Sequence, residues 1–90
     1  MVQAHIVYSG MVQGVGFRYT VEDIVRQIGR LNGWVRNLQD GRVEILIEGD
    51  KKNIEQLMAA VEQRFNAYIR SKSLMYAPSQ GSFKDFQITY

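Results

Sequence analysis

The stretch GWVRNLQDGRVEILIEG, Gly33–Gly49, decides the architecture of this chain. At its middle, Asp40–Gly41 is a strong hairpin signal, because both residues tolerate the positive φ of a tight turn. Trp34 and Val35 open the strand that enters the turn. On the strand that leaves it, Val43, Ile45 and Ile47 alternate with Arg42, Glu44 and Glu48, and Leu46 interrupts the polar set. Period two with one apolar and one charged face is the pattern of a half-buried strand.

A helix flanks this hairpin on each side. Upstream, Phe17, Val21, Ile24, Val25 and Ile28 recur at offsets of 4, 7, 8 and 11, one stripe of an amphipathic helix. Gly29 is the expected stop and Leu31 packs the exit. Downstream, Asp50 suits an N-cap before Ile54, Leu57, Met58, Val61 and Phe65, at offsets of 3, 4, 7 and 11. Before the first helix, Ala4, Ile6 and Tyr8 alternate with His5, Val7 and Ser9, which predicts a strand over Ala4–Ser9. After the second, the pattern predicts a strand near Ser71–Tyr76, a turn around Pro78–Gly81, and a closing strand in which Phe86, Ile88 and Tyr90 alternate. The order is β-α-β-β-α-β plus a terminal strand. It predicts a ferredoxin-like α/β (α+β) sandwich, an antiparallel sheet with two helices on one face. Ninety residues make one domain, 1–90.

Composition narrows the function. With no cysteine, disulfides and thiolate metal sites are excluded, and so is a metal-transport module built on a cysteine pair. Eleven basic residues against nine acidic, interspersed, give no electrostatic footprint for nucleic acid. An RNA-recognition domain shares this element order, but Glu44 and Glu48 on the face away from the helices would repel phosphate. No basic leader and no apolar run long enough for a membrane span is visible, so the expected location is the cytoplasm.

The chemistry is concentrated in SGMVQGVGFR, Ser9–Arg18. The dinucleotide fingerprint G-x-G-x-x-G fails, since Tyr19 stands at the third glycine position after Gly14 and Gly16. The Walker A pattern fails for want of G-K-[ST]. The cysteine-phosphatase loop has a cysteine, five residues and an arginine; counting back from Arg18 puts Val12 where the nucleophile would be. The spacing fits a phosphate cradle without a nucleophile. Glycines let successive N–H groups converge on an anion, and the start of a helix at Phe17 adds positive potential. An arginine there can grip two phosphate oxygens. The same Gly-x-Gly also serves as a plain tight turn, and spacing alone does not choose between the two.

The residues resemble those of the acylphosphatases. GMVQGVGFR at Gly10–Arg18 is similar to that family's active-site signature, and Gly33–Gly49 to its second signature. FQITY at Phe86–Tyr90 is similar to its terminus. The match spans nearly the whole chain, so a stand-alone enzyme is expected. The resemblance implies hydrolysis of the carboxyl–phosphate bond of a small acyl phosphate, without metal or other cofactor. Arg18 would hold the phosphoryl group and Asn37 would position the attacking water. The main-chain N–H groups of Gln13, Gly14, Val15, Gly16, Phe17 and Arg18 would form the cradle, and Val12 in the cysteine position argues for direct attack by water. A monomer with no nucleic-acid or membrane partner is expected. The chain departs from the family pattern at Val25, where a small residue is usual, and lacks the Gly-Pro break after the second helix.

Other candidates read as structural. Trp34 is expected in core or hairpin packing, His5 as a structural strand residue, and Arg36 at the surface, pointing away from Asn37. The rival function is a non-catalytic regulatory module of the same fold that binds an anion or small ligand at the loop, and only turnover separates the two.

Overall fold

Strand β1, Val2–Gly10, lies inside the sheet, paired antiparallel with two strands that come much later in the chain. The computed structural model describes residues 1–90. After β1 come α1 (Phe17–Ile28), β2 (Asn32–Asn37), β3 (Val43–Gly49), α2 (Lys51–Arg64), β4 (Ile69–Pro78) and β5 (Phe86–Thr89). The sheet order is β4-β1-β3-β2-β5. Both helices pack on one face, as the element order predicts for a ferredoxin-like fold.

Alternation sets that face. Ala4, Ile6 and Tyr8 of β1, Val35 of β2, and Val43, Ile45 and Ile47 of β3 are buried under Phe17, Val21 and Val25 of α1 and Ile54, Leu57, Met58 and Val61 of α2. Full burial of each large apolar side chain stabilises the fold by about 1.5–3 kcal/mol. Phe17 matters most for the site. It is the first helical residue, is 2% exposed, and its ring lies 5.6 Å from Tyr8 and 4.6 Å from Phe65. The start of α1 is thereby fixed to the core from below. Val25, the departure in the first helix, is simply core.

Four strands are antiparallel, as expected, but β5 runs parallel to β2. Geometry requires it. β4 descends along one edge, and the chain crosses the end of the sheet to add β5 beside β2 at the other edge, running back up. β4 is longer than the alternation suggests and ends on Pro78, placed in the turn by the sequence reading. Proline is tolerated there because an edge strand can spare the N–H. α2 ends at Arg64, and the N–H of Phe65 still donates to Val61. Asp50 stands at the N-cap position, although its side chain makes no capping bond.

The crossover changes the reading of Glu48. It lies on the face away from the helices, yet it is only 5% exposed, because the crossover segment lies against it. Its carboxylate accepts the main-chain N–H groups of Gln80 at 3.0 Å and Ser82 at 3.1 Å. Burial pushes the Glu48 carboxyl up, but donors from Gln80, Ser79, Ser82 and Phe83 outweigh it and hold the group below its usual range. On the same face Glu44 accepts from Arg36 Nε at 2.7 Å and lies 2.6 Å from His5 Nε2. Trp34 is on this open face rather than in the core, with the Arg36 guanidinium 4.7 Å from its ring centroid.

Candidate active site

The site is built where β1 leaves the sheet. Gly10 has φ 126°, and a Cβ there would sit 2.2 Å from the carbonyl oxygen of Tyr68. Only glycine lets Met11 turn in and donate its N–H to that carbonyl at 2.9 Å. The loop Met11–Gly16 follows, with Gly14 and Gly16 both at φ 78°, the left-handed region that other residues enter only at a cost. Gly16 is the N-cap of α1 and has no side chain to cap it. The first helical bond runs from Thr20 N–H to the Gly16 carbonyl at 3.0 Å. Between Met11 and Thr20, no main-chain N–H group has an acceptor within the protein. A curled run of free N–H groups at a helix N-terminus is an arrangement able to receive an anion.

Arg18 and Asn37 complete it. Both line a cavity of about 130 Å³ with Val12, Gly14, Gly16, Phe17 and Tyr19. Arg18 is the second residue of α1, whose start Phe17 fixes. Asn37 is the last residue of β2, on the same side as Val35, and so faces the loop while Arg36 points to the open face. No carboxylate lines the cavity, and Arg18 has no ion-pair partner. Its Nη1 donates to the Thr89 carbonyl at 3.5 Å, and its Cζ lies 4.8 Å from the Tyr90 ring centroid. The volume is well under the roughly 300–1,000 Å³ of pockets for drug-sized ligands, and suits one small oxyanion. A larger groove of about 620 Å³ runs between α1 and α2, but it is open and lined by residues of mixed sign such as Asp23 and Arg64.

Two of the residues expected in the cradle stand outside the cavity lining. Val15 is 37% exposed, and the Gln13 side chain turns away to the β2–β3 hairpin, donating to the carbonyls of Leu38 at 2.7 Å and Arg42 at 2.9 Å. Their main-chain N–H groups still belong to the free run. Tyr19 and the β5 contacts on Arg18 were not read from the sequence. Tyr19 adjoins Arg18 in the motif, whereas no local signal links Thr89 or Tyr90 to a residue some seventy positions earlier.

A sequence model of acylphosphatase matches residues 4–88. The chain belongs to the acylphosphatase family. It is 50% identical to an acylphosphatase of Nostoc over 58 residues, 64% of this chain and 56% of that protein. The matched stretch thus spans little more than half of that relative. A fuller alignment, 43% identical over 82 residues, covers 91% of this chain and 87% of an acylphosphatase from Acaryochloris marina. The crystal structure of the acylphosphatase from Bacillus subtilis superimposes with a TM-score of 0.91 at 38% identity, over 100% of both chains. In acylphosphatase terms, the signature loop is the turn between β1 and α1, and the second signature is the β2–β3 hairpin that carries Asn37.

Proposed function

We propose that residues 1–90 form one acylphosphatase domain that hydrolyses the carboxyl–phosphate bond of small acyl phosphates to a carboxylate and inorganic phosphate. The observation that carries this reading is the meeting of the free N–H run, Arg18 and Asn37 around one cavity without a carboxylate. The phosphoryl oxygens rest on the N–H groups from Gln13 to Arg18, and the guanidinium of Arg18 takes the remaining charge. Each charge-assisted bond is worth about 1.5–3 kcal/mol.

The reaction is a direct displacement. Asn37 accepts a hydrogen bond from water through its carbonyl and donates to a phosphoryl oxygen through its amide, which places the water in line. The water oxygen bonds to phosphorus as the bond from phosphorus to the acyl oxygen breaks. The electron pair leaves on the carboxylate, and the water proton passes to a phosphoryl oxygen. A carboxylate is a good leaving group, so no strong general acid is needed. Val12, buried where a cysteine phosphatase holds its nucleophile, supports attack by water without a phosphoenzyme. The protein's own cation and N–H groups carry the charge as it shifts, with no step routed through a metal. We place this activity in the cytoplasm, in a monomer whose partner is the small-molecule substrate; no helix is long and apolar enough to cross a membrane.

The test is turnover of acetyl or benzoyl phosphate by purified protein in the presence of a chelator. Hydrolysis is expected, reduced at least about a hundredfold in Arg18→Ala or Asn37→Ala with folding retained. Anion binding without turnover would instead make the domain a regulatory binder.

A further inference from the structure

The guanidinium of Arg18 is held from one direction only. Its contacts are the Thr89 carbonyl at 3.5 Å and the Tyr90 ring, whose centroid is 4.8 Å from Cζ. No carboxylate pairs with it. The β2–β5 ladder ends at the pair Arg36 and Thr89, so Tyr90 leaves the sheet beside Asn37. Tyr90 is 88% exposed and contributes nothing to the core. An aromatic this exposed and set against a catalytic cation has no packing role to explain it.

We infer that Tyr90 is a positioning residue, whose ring face fixes the direction of Arg18 toward the cradle. This rests on the reading of Arg18 as the phosphoryl-binding residue. The physical reason for a ring in this place is specific. A carboxylate would orient the guanidinium equally well, but it would neutralise the positive field and occupy the donors the phosphoryl group needs. A π face attracts the cation while leaving its N–H donors in the plane of the guanidinium free. Tyr90 is in turn flanked by the Tyr19 hydroxyl, which raises the Tyr90 phenol above its ordinary range.

The experiment compares Tyr90→Phe, Tyr90→Leu and Tyr90→Ala, each alone and combined with Arg18→Ala. Acetyl phosphate is the substrate, because its acyl group is too small to contact the ring by stacking. In the Leu and Ala variants kcat/KM is expected to fall about two- to fivefold, the scale of an exposed cation–π contact. The inhibition constant for inorganic phosphate should rise by the same factor, with the melting temperature unchanged. The Phe variant should match wild type, and the Leu change should have no further effect once Arg18 is alanine. Leu equal to Phe, or a Leu effect that persists without Arg18, overturns the inference while leaving the site intact. Wild-type protein that neither turns over acetyl phosphate nor binds phosphate overturns the reading of the site and this inference with it.

Discussion

The side-chain amide of Gln13 donates to the carbonyl oxygen of Leu38 over 2.7 Å, and to that of Arg42 over 2.9 Å. One side chain therefore ties the Met11–Gly16 loop to the hairpin that carries Asn37. Gln13→Ala removes both bonds and is expected to cost about 1–3 kcal/mol of stability, at roughly 0.5–1.5 kcal/mol for each bond. It should also weaken phosphate binding. Gln13→Glu should be worse than alanine, since it sets a carboxylate against two carbonyls and beside an anion site. Urea unfolding, with kcat/KM on acetyl phosphate, checks both.

Conservative changes at the two central side chains should separate charge from geometry. Arg18→Lys keeps the charge but loses the planar fork, so it is expected to recover only about tenfold over Arg18→Ala. Asn37→Asp is nearly isosteric and places a negative group against the phosphoryl dianion. Its KM should rise above that of Asn37→Ala. Steady-state kinetics on the four variants decide the point.

The glycines divide into two kinds. At Gly16, φ is 78° and a Cβ would meet nothing within 4 Å, so Gly16→Ala carries only the left-handed penalty of about 1–2 kcal/mol. At Gly33 a Cβ would lie 1.9 Å from the Leu46 carbonyl oxygen, and the β2–β3 backbone must move. Gly33→Ala should lose about 3 kcal/mol. Chemical denaturation of both variants should rank them in that order.

Glu48 couples the crossover to pH. Its folded pKa is depressed below the ordinary 4.5, so its stabilisation is present above that value and is lost as pH falls through it toward the folded pKa. Wild type should therefore lose stability as pH falls through 4.5 and below more steeply than Glu48→Gln, which is less stable at neutral pH. Asp40 is also depressed, by the N–H of Arg42 against its burial and with the Arg42 guanidinium adding to it; Glu44 is depressed by His5 and Arg36 against its burial. Both leave the variant a residual slope of the same sign. Thermal melts across this range provide the measurement.

The sequence carried what short-range periodicity encodes. The Asp40–Gly41 turn, both helical stripes, and the place of Arg18 at the start of a helix were legible, because each is set by residues within a few positions; Asn37 was singled out only by the family resemblance. The features that were not legible depend on segments far apart. Glu48 reads as solvent-facing until the crossover from β4 covers it, and Pro78 reads as a turn until β4 is seen to be an edge. Gln13 reads as part of an anion loop, and nothing local shows that its amide faces the carbonyls of Leu38 and Arg42. The parallel sense of β5 follows only from which edge receives it.

The sheet also sets a kinetic order. β1 comes first in the chain, yet its partners are β3 and β4, with Val2 opposite Gly49 and Pro78. Loop entropy must be overcome before those contacts reward it, so refolding is expected to be slower than that of helical domains, whose contacts are local. The hairpin at Asp40–Gly41 can zip at once, while the edge beside Asn37 closes only when β5 arrives. Recovery of turnover after dilution from denaturant would accordingly lag behind recovery of helical signal.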